Sequence, residues 1–241
     1  MARVRPGVDI NVKALAFLTP IKEAGLPIAV IQKASEMSAI AAMPEIYIQN
    51  ATSVALIADL AERTAKPKRI LDLCASPGGK LLATHDTFPE AELFANDLSE
   101  EKILRLSQNL TKYGVKAHLS CGPGENYTSD VRFDVIILDV PCSNSGVLNK
   151  RAEARWRLAP EMIEALHVKQ RALIAHAQTL LAPGGVIWYI TCSILKSENE
   201  AMIAEIASQT SPKLQVQFSR TILPNTDGWD GGFAALFHYE P

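Results

Sequence analysis

Three short segments of the chain carry residue types that do chemistry. Leu71-Asp72-Leu73-Cys74-Ala75-Ser76-Pro77-Gly78-Gly79-Lys80 is a turn of small residues, while Pro141-Cys142 and Thr191-Cys192 each set a cysteine after an apolar run. A thiolate is a strong nucleophile, and a glycine-rich turn lets backbone N–H groups approach a nucleotide-like cofactor closely. These spacings point to thiol chemistry beside a cofactor, although a structural turn is the plain alternative for the glycines. The turn lacks G-x-x-x-x-G-K-[ST], which argues against a nucleoside triphosphate loop. Further on, Asn96-Asp97 closes another apolar run, where an acidic side chain would accept hydrogen bonds from both ribose hydroxyls.

Asp139 and then Cys142 follow the run Phe133-Asp134-Val135-Ile136-Ile137-Leu138, at the strand edge where open α/β sheets bind ligands. Cys192 holds the same place after residues 186–191, just ahead of a helix, a location that can lower a thiol pKa through the helix N-terminus. Taken singly, each cysteine also fits an inert buried thiol. Lys150, Arg151, Arg155 and Arg157, with Trp156 among them, form the densest basic stretch and fit phosphate contacts and base stacking. A solvated basic face is the bland alternative. His85, His118, His167, His176 and His238 show no ligand spacing, so no metal is assigned.

Elements that would position these residues are readable from periodicity. Apolar runs at 69–73, 91–96, 115–119, 133–138 and 186–191 alternate with helical patterns at 52–66, 99–113, 160–181 and 197–209. That alternation predicts a mostly parallel sheet covered by helices, finished by a hairpin-like pair at 213–218 and 233–239. Ser99 reads as an N-cap and Gly114 as a helix stop. Residues 1–50, punctuated by Pro6, Pro20, Pro27 and Pro44, read as a small N-terminal appendage on a main domain of residues 51–241.

Composition bounds the rest. With 241 residues, 48% of them hydrophobic, the chain can bury a sizeable core. No apolar run approaches the roughly 20 residues that span a bilayer, so no membrane partner is expected. The four cysteines contain no C-x-x-C pair, which fits reduced thiols in the cytoplasm. A net charge of -2 makes any nucleic-acid contact local.

Read together, Cys74-Ala75-Ser76-Pro77-Gly78-Gly79-Lys80, Asp139-Val140-Pro141-Cys142-Ser143 and Thr191-Cys192-Ser193-Ile194 resemble the Sun/nucleolar-protein (RsmB/NOP/Sun) family of RNA 5-methylcytosine methyltransferases. The resemblance runs from about Gln49 to Phe233. It implies a Rossmann-like class I methyltransferase fold with a seven-stranded sheet, and S-adenosylmethionine as methyl donor. It further implies that Cys74, Ala75, Ser76, Pro77, Gly78, Gly79, Lys80, Asp97 and Asp139 line the cofactor site. Cys192 would be the nucleophile and Cys142 would help release the product, with Asp139 and Lys80 assisting. Lys150, Arg151, Arg155 and Arg157 would contact RNA, ribosomal RNA being favoured and transfer RNA a competitor.

The chain departs from the family pattern in places. Leu81 follows the loop lysine where Thr or Ser is common, residues 120–124 lack the aspartate that touches adenine, and Asn144 replaces a common glycine. Lys150-Arg151-Ala152-Glu153 stands for a more usual Arg-His-Pro-Asp. With so little excess positive charge, RNA recognition would call on an accessory RNA-binding protein or a structured precursor. Two other classes stay open: a methyltransferase acting on protein or small molecules, needing neither cysteine, and a noncatalytic RNA-assembly protein.

Overall fold

The computed structural model describes residues 1–8, 18–20, 26–31, 35, 37–209 and 214–239. Near the N-terminus, β1 (Ala2–Val4), β2 (Leu18–Pro20), β3 (Ile28–Ile31) and β4 (Ile46–Ile48) form a small sheet in the order β2-β3-β1-β4. Every pairing in it is antiparallel. The helix α1 (Met37–Ala42) adds Ile40 to a cluster of Ala2, Val4, Ala29 and Ile46. So few apolar residues stabilise little alone. The sheet is fastened to the rest of the chain by Ile28 and Tyr47, which pack on the main core, and by charge. Arg3 and Arg5 both pair with Asp86, and Arg3 Nε donates to Gln49 Oε1 at 3.0 Å.

The main sheet has seven strands. β5 (Arg69–Asp72) lies between β6 (Glu92–Asp97) and the central strand β8 (Phe133–Asp139), with β7 (His118–Cys121) beyond β6 and β9 (Leu181–Thr191) beyond β8. These five are parallel. β10 (Leu214–Ile222) and β11 (Gly232–Tyr239) form the expected hairpin pair, and β11 inserts antiparallel beside β9. Helices α2 (Ala51–Arg63), α3 (Gly79–Thr87) and α4 (Glu100–Lys112) cover one face, α5 (Pro160–Leu180) and α6 (Glu200–Gln209) the other. Alternate residues of one strand serve opposite cores: Val135, Ile137 and Trp188 face α2 to α4, whereas Ile136, Leu138 and Tyr189 face α5 and α6. Burial on both faces is why these strands read as unbroken apolar runs.

Several boundaries differ from the sequence expectation, each for a local reason. The strand expected at 115–119 starts at His118, because Val115 N donates to Leu110 O at 2.9 Å and Gly114 N to Thr111 O at 3.2 Å. This Schellman closure of α4, with Gly114 at φ 66°, consumes the start of the run. Ser99 occupies the N-cap position but makes no side-chain cap bond; Glu100 and Glu101 supply the favourable charge of the first turn. The helix expected from 197 begins at Glu200. β10 extends to Ile222, paired as far as Gly232, while Lys213 lies outside the described residues.

Candidate active site

The C-terminal ends of β5, β6, β8 and β9 open onto a cleft of about 740 Å³. Its walls include Cys74, Ser76, Asp97, Asp139, Cys142 and Cys192, so the three segments singled out in the sequence meet in one place. That volume lies in the usual range for small-molecule sites, roughly 300–1,000 Å³.

The glycine turn is held open by specific bonds. Ala75 N donates to Asn96 O at 2.9 Å, Cys74 N to Asp72 Oδ1 at 3.1 Å and Ser76 N to Asp97 Oδ2 at 2.8 Å. Gly78 sits at φ 105° as the N-cap of α3, a conformation that disfavours any side chain. Pro77 therefore stands just outside the helix. Asp97 is buried, and its other oxygen accepts from Leu98 N at 2.7 Å and from Lys102 Nζ at 2.8 Å. A carboxylate has about four acceptor sites. Three are in use, so engaging both ribose hydroxyls requires the half-exposed Lys102 to swing away.

Lys80, on the first turn of α3, donates to Asp139 Oδ2 at 2.6 Å. Burial works to lower its ammonium, but Asp139 and the neighbouring Cys192 and Asp72 outweigh it and hold Lys80 above its ordinary value. Cys142 is buried at the cleft wall and Cys192 is partly buried. Burial pushes both thiols up, with the Lys80 ammonium opposing the rise at Cys192. This corrects the expected lowering of Cys192 by a helix N-terminus. Since α6 begins only at Glu200, Lys80 and, less strongly, Arg151 are the groups that favour the Cys192 thiolate.

Asp72 carries a second titration. Burial, then the charge of Asp139, push its carboxyl up to about 8, and its Oδ2 has no partner among the described residues. An unfolded Asp ionises near pH 4. Between about 4 and 8 the folded chain therefore binds the extra proton, and stability falls as pH rises, the loss being complete above about 8. Asp72→Asn should match the parent near pH 4 and exceed it at pH 8 by at least about 1 kcal/mol, or roughly 2–4 °C in Tm. Chemical denaturation over a pH series checks this. Parallel curves for the two proteins would exclude it.

A family model described as 16S rRNA methyltransferase RsmB/F matches residues 60–238. The chain belongs to this family. Ribosomal RNA small subunit methyltransferase B of Erwinia tasmaniensis is 32% identical over 205 residues, covering 79% of this chain and 46% of that protein. Its counterpart in Klebsiella pneumoniae is 35% identical over 178 residues, covering 70% and 41%. The chain thus spans about half the length of the curated relatives it matches. Among solved structures, PH0851 has a TM-score of 0.85 at 24% identity, over 99% of this chain and 59% of that one. NSun6 from Pyrococcus horikoshii, solved with SFG, has a TM-score of 0.69 at 23% identity, over 90% and 60%. These likenesses show the fold, a class I methyltransferase sheet.

The residues in which this RsmB/F-family chain departs from the pattern are also defined. Asn144 adopts the left-handed region at φ 57°, which suits a site where glycine is common. Lys150 is drawn away from the cleft into an ion pair with Asp230 at 2.8 Å. Arg151 reaches the cleft wall. Arg155 is exposed, its guanidinium 5.2 Å from the ring of Trp156, which is itself 72% exposed. The side chain of Arg157 lies outside the described residues. At 120–124, Asn96 Nδ2 donates to Gly122 O at 2.9 Å and Gly124 lines the cleft. The nearby carboxylate of Glu125 is paired with Lys169.

Sequence reading missed one part of the site, a buried polar network behind the two cysteines. Ser143, Ser193, Glu198, Asn199 and Gln170 are all fully buried. Gly146 N donates to Cys192 O at 3.0 Å and Val140 N to Ile190 O at 3.1 Å, tying the two cysteine loops together. A Cβ on Gly146 would meet Gly231 O at 2.5 Å, so only glycine permits this approach. The available signal was a serine immediately after each cysteine.

Proposed function

We propose that the chain methylates carbon 5 of a cytosine in RNA, with S-adenosylmethionine as donor and ribosomal RNA as the substrate class. One observation carries the reading: two thiols, delivered by the neighbouring strands β8 and β9, line a single cleft with the Lys80–Asp139 pair and the glycine turn. The residues fit the donor. Asp97 would hold the ribose, the turn of Ser76 to Lys80 would cradle the methionine end, and the cleft is large enough. When bound, the donor supplies an electrophilic methyl group on a sulfonium. The division of the chain into an appendage of residues 1–50 and a catalytic unit of residues 51–241 belongs to the same reading.

Carbon 5 of cytosine is a poor nucleophile until a thiolate adds to carbon 6 and makes it enamine-like. Cys192 would add there, its thiolate favoured by Lys80. Asp139, oriented by Lys80, would hold the base by accepting from its amino group, and the Lys80 ammonium would offset the negative charge that addition creates. After methylation, Cys142 would take the proton from carbon 5, directly or through water. That electron pair reforms the ring double bond, and the Cys192 sulfur leaves carbon 6 as thiolate. A paired base cannot present both faces, so the target is unpaired or flipped out. Arg151 and Arg155 would meet phosphates and Trp156 a flanking base. So short a basic stretch calls on a structured RNA or an accessory RNA-binding protein for affinity. The four free cysteines fit work in the cytoplasm.

Incubation with methyl-labelled S-adenosylmethionine and RNA, followed by nucleoside analysis, should yield 5-methylcytidine. Asp97→Ala should raise KM for the donor by roughly 10-fold or more, about 1.4 kcal/mol per decade, while leaving KM for RNA within about twofold. Methyl transfer to another nucleoside or to protein would exclude the reading. Donor binding without transfer to any RNA would favour the noncatalytic one.

A further inference from the structure

Glu198 lies fully buried between β9 and α6, and three donors converge on its carboxyl group. Ser143 N donates to Oε1 at 2.9 Å, Ser143 Oγ to Oε2 at 2.5 Å, and Gln170 Nε2 to Oε1 at 3.2 Å. Gln170 Nε2 also donates to Pro141 O at 3.0 Å. Pro141 and Ser143 are the two chain neighbours of Cys142, so one carboxyl group braces both sides of that thiol. The brace continues to the other loop. Ser143 Oγ lies 3.3 Å and Ser145 Oγ 2.9 Å from Ser193 Oγ, the residue after Cys192, and Ile194 N donates to Ser145 Oγ at 3.0 Å.

No lysine or arginine among the described residues forms an ion pair with Glu198 within 4.0 Å. A carboxyl group this deep costs free energy unless all its acceptor sites are used. Ser143 N and Gln170 Nε2 can be met only by an acceptor. An amide in place of the carboxylate would keep those two bonds at its oxygen and turn its NH₂ group toward Ser143 Oγ, reversing that 2.5 Å bond and lengthening it toward the usual N–H···O distance of about 3 Å. An apolar side chain would have filled the space without any such requirement. The requirement falls on the segment that aims Cys142.

We propose that Glu198 is a positioning residue that sets Cys142 against the base held on Cys192, and so governs release of the covalent product. The inference rests on the cytosine-methylation reading. In Glu198→Gln the contact with Ser143 Oγ reverses and lengthens and the Cys142 loop shifts, while Cys192, just past the end of β9 and bonded through its own backbone to Gly146, keeps its place. A misplacement of about 1 Å lowers a rate on the order of a hundredfold. Proton removal from carbon 5 slows and addition at carbon 6 does not.

The test is a single-turnover experiment with labelled RNA that follows both formation and decay of the covalent species, for the parent, Glu198→Gln, Ser143→Ala, Cys142→Ala and Cys192→Ala. Glu198→Gln should form the adduct within about twofold of the parent rate and release it at least ~10-fold more slowly. Ser143→Ala, which deletes one hydroxyl, should shift the same step in the same direction, and it carries the test if Glu198→Gln does not fold. Formation and decay slowed equally, or decay unchanged, in whichever variant folds would overturn the positioning role. If Cys142→Ala accumulates adduct and both brace variants behave as the parent, only this inference fails. If no variant and no parent forms adduct, the cytosine reading fails with it.

Discussion

Cys142→Ala should leave the protein covalently joined to RNA through Cys192. With the carbon 5 proton in place, the bond between the Cys192 sulfur and carbon 6 has no route to elimination, so the methylated base stays on the enzyme. Turnover should fall by 10² to 10⁴, the usual range for a lost proton-transfer group, while the first methyl transfer proceeds. A denaturing gel of protein purified from cells should show a slower species that ribonuclease removes. The substitution is mild for the fold: Cys142 is 7% exposed, and losing a sulfur from such a site costs about 1 kcal/mol. Adduct formed by Cys192→Ala instead, and lost in Cys142→Ala, would reverse the assignment of the thiols.

Much of this site was legible because strand ends are legible. Val135 to Leu138 and Ile187 to Ile190 are apolar throughout since both sheet faces are covered, so Asp139, next after the first run, and Cys192, two residues after the second, could be set at one edge from sequence. What stayed hidden depends on chain separation. Arg3 meets Asp86 across 83 residues, and Glu198 meets Ser143 across 55, with no periodicity to announce either pair. The two kinds of error are linked. The sequence placed a helix from 197, whose N-terminus could lower the thiol of Cys192, but Glu198 and Asn199 turn their side chains into the buried network. Their use there delays α6 to Glu200 and removes the helix N-terminus from the thiol. Lys80, read as an orienting group for Asp139, takes over as the electrostatic partner of Cys192. The N-terminal sheet was read as short apolar pieces because its own core is only five residues, and its charged clamp lies outside the patterns that apolar periodicity reveals.

Cys192→Ala should abolish both the adduct and methylation, lowering turnover by a factor on the order of 10³ or more, because Cys142, the other thiol proposed to act in the cleft, is buried and has no cation among the groups that shift it. Cys192→Ser should not rescue it, since a hydroxyl is far less acidic than a thiol and the cations that favour an anion there, Lys80 first and Arg151 after it, do not outweigh burial even for the thiol. Donor affinity should stay within about threefold of the parent, because the bonds that fix Asp97 and the glycine turn do not involve Cys192. The pH profile adds an independent readout. Burial holds the Cys192 thiol above its ordinary value, so at neutral pH the thiolate is the minor form in the free protein. The kcat/KM of the parent should therefore climb with pH through neutrality, by nearly tenfold per unit where the thiol still dominates. Lys80→Met removes the opposing cation, raises the thiol further and should displace that climb to higher pH. A flat profile in the parent, or full activity in Cys192→Ala, would mean that the chemistry proceeds without this thiol, and the methyl acceptor would then have to be a group nucleophilic on its own.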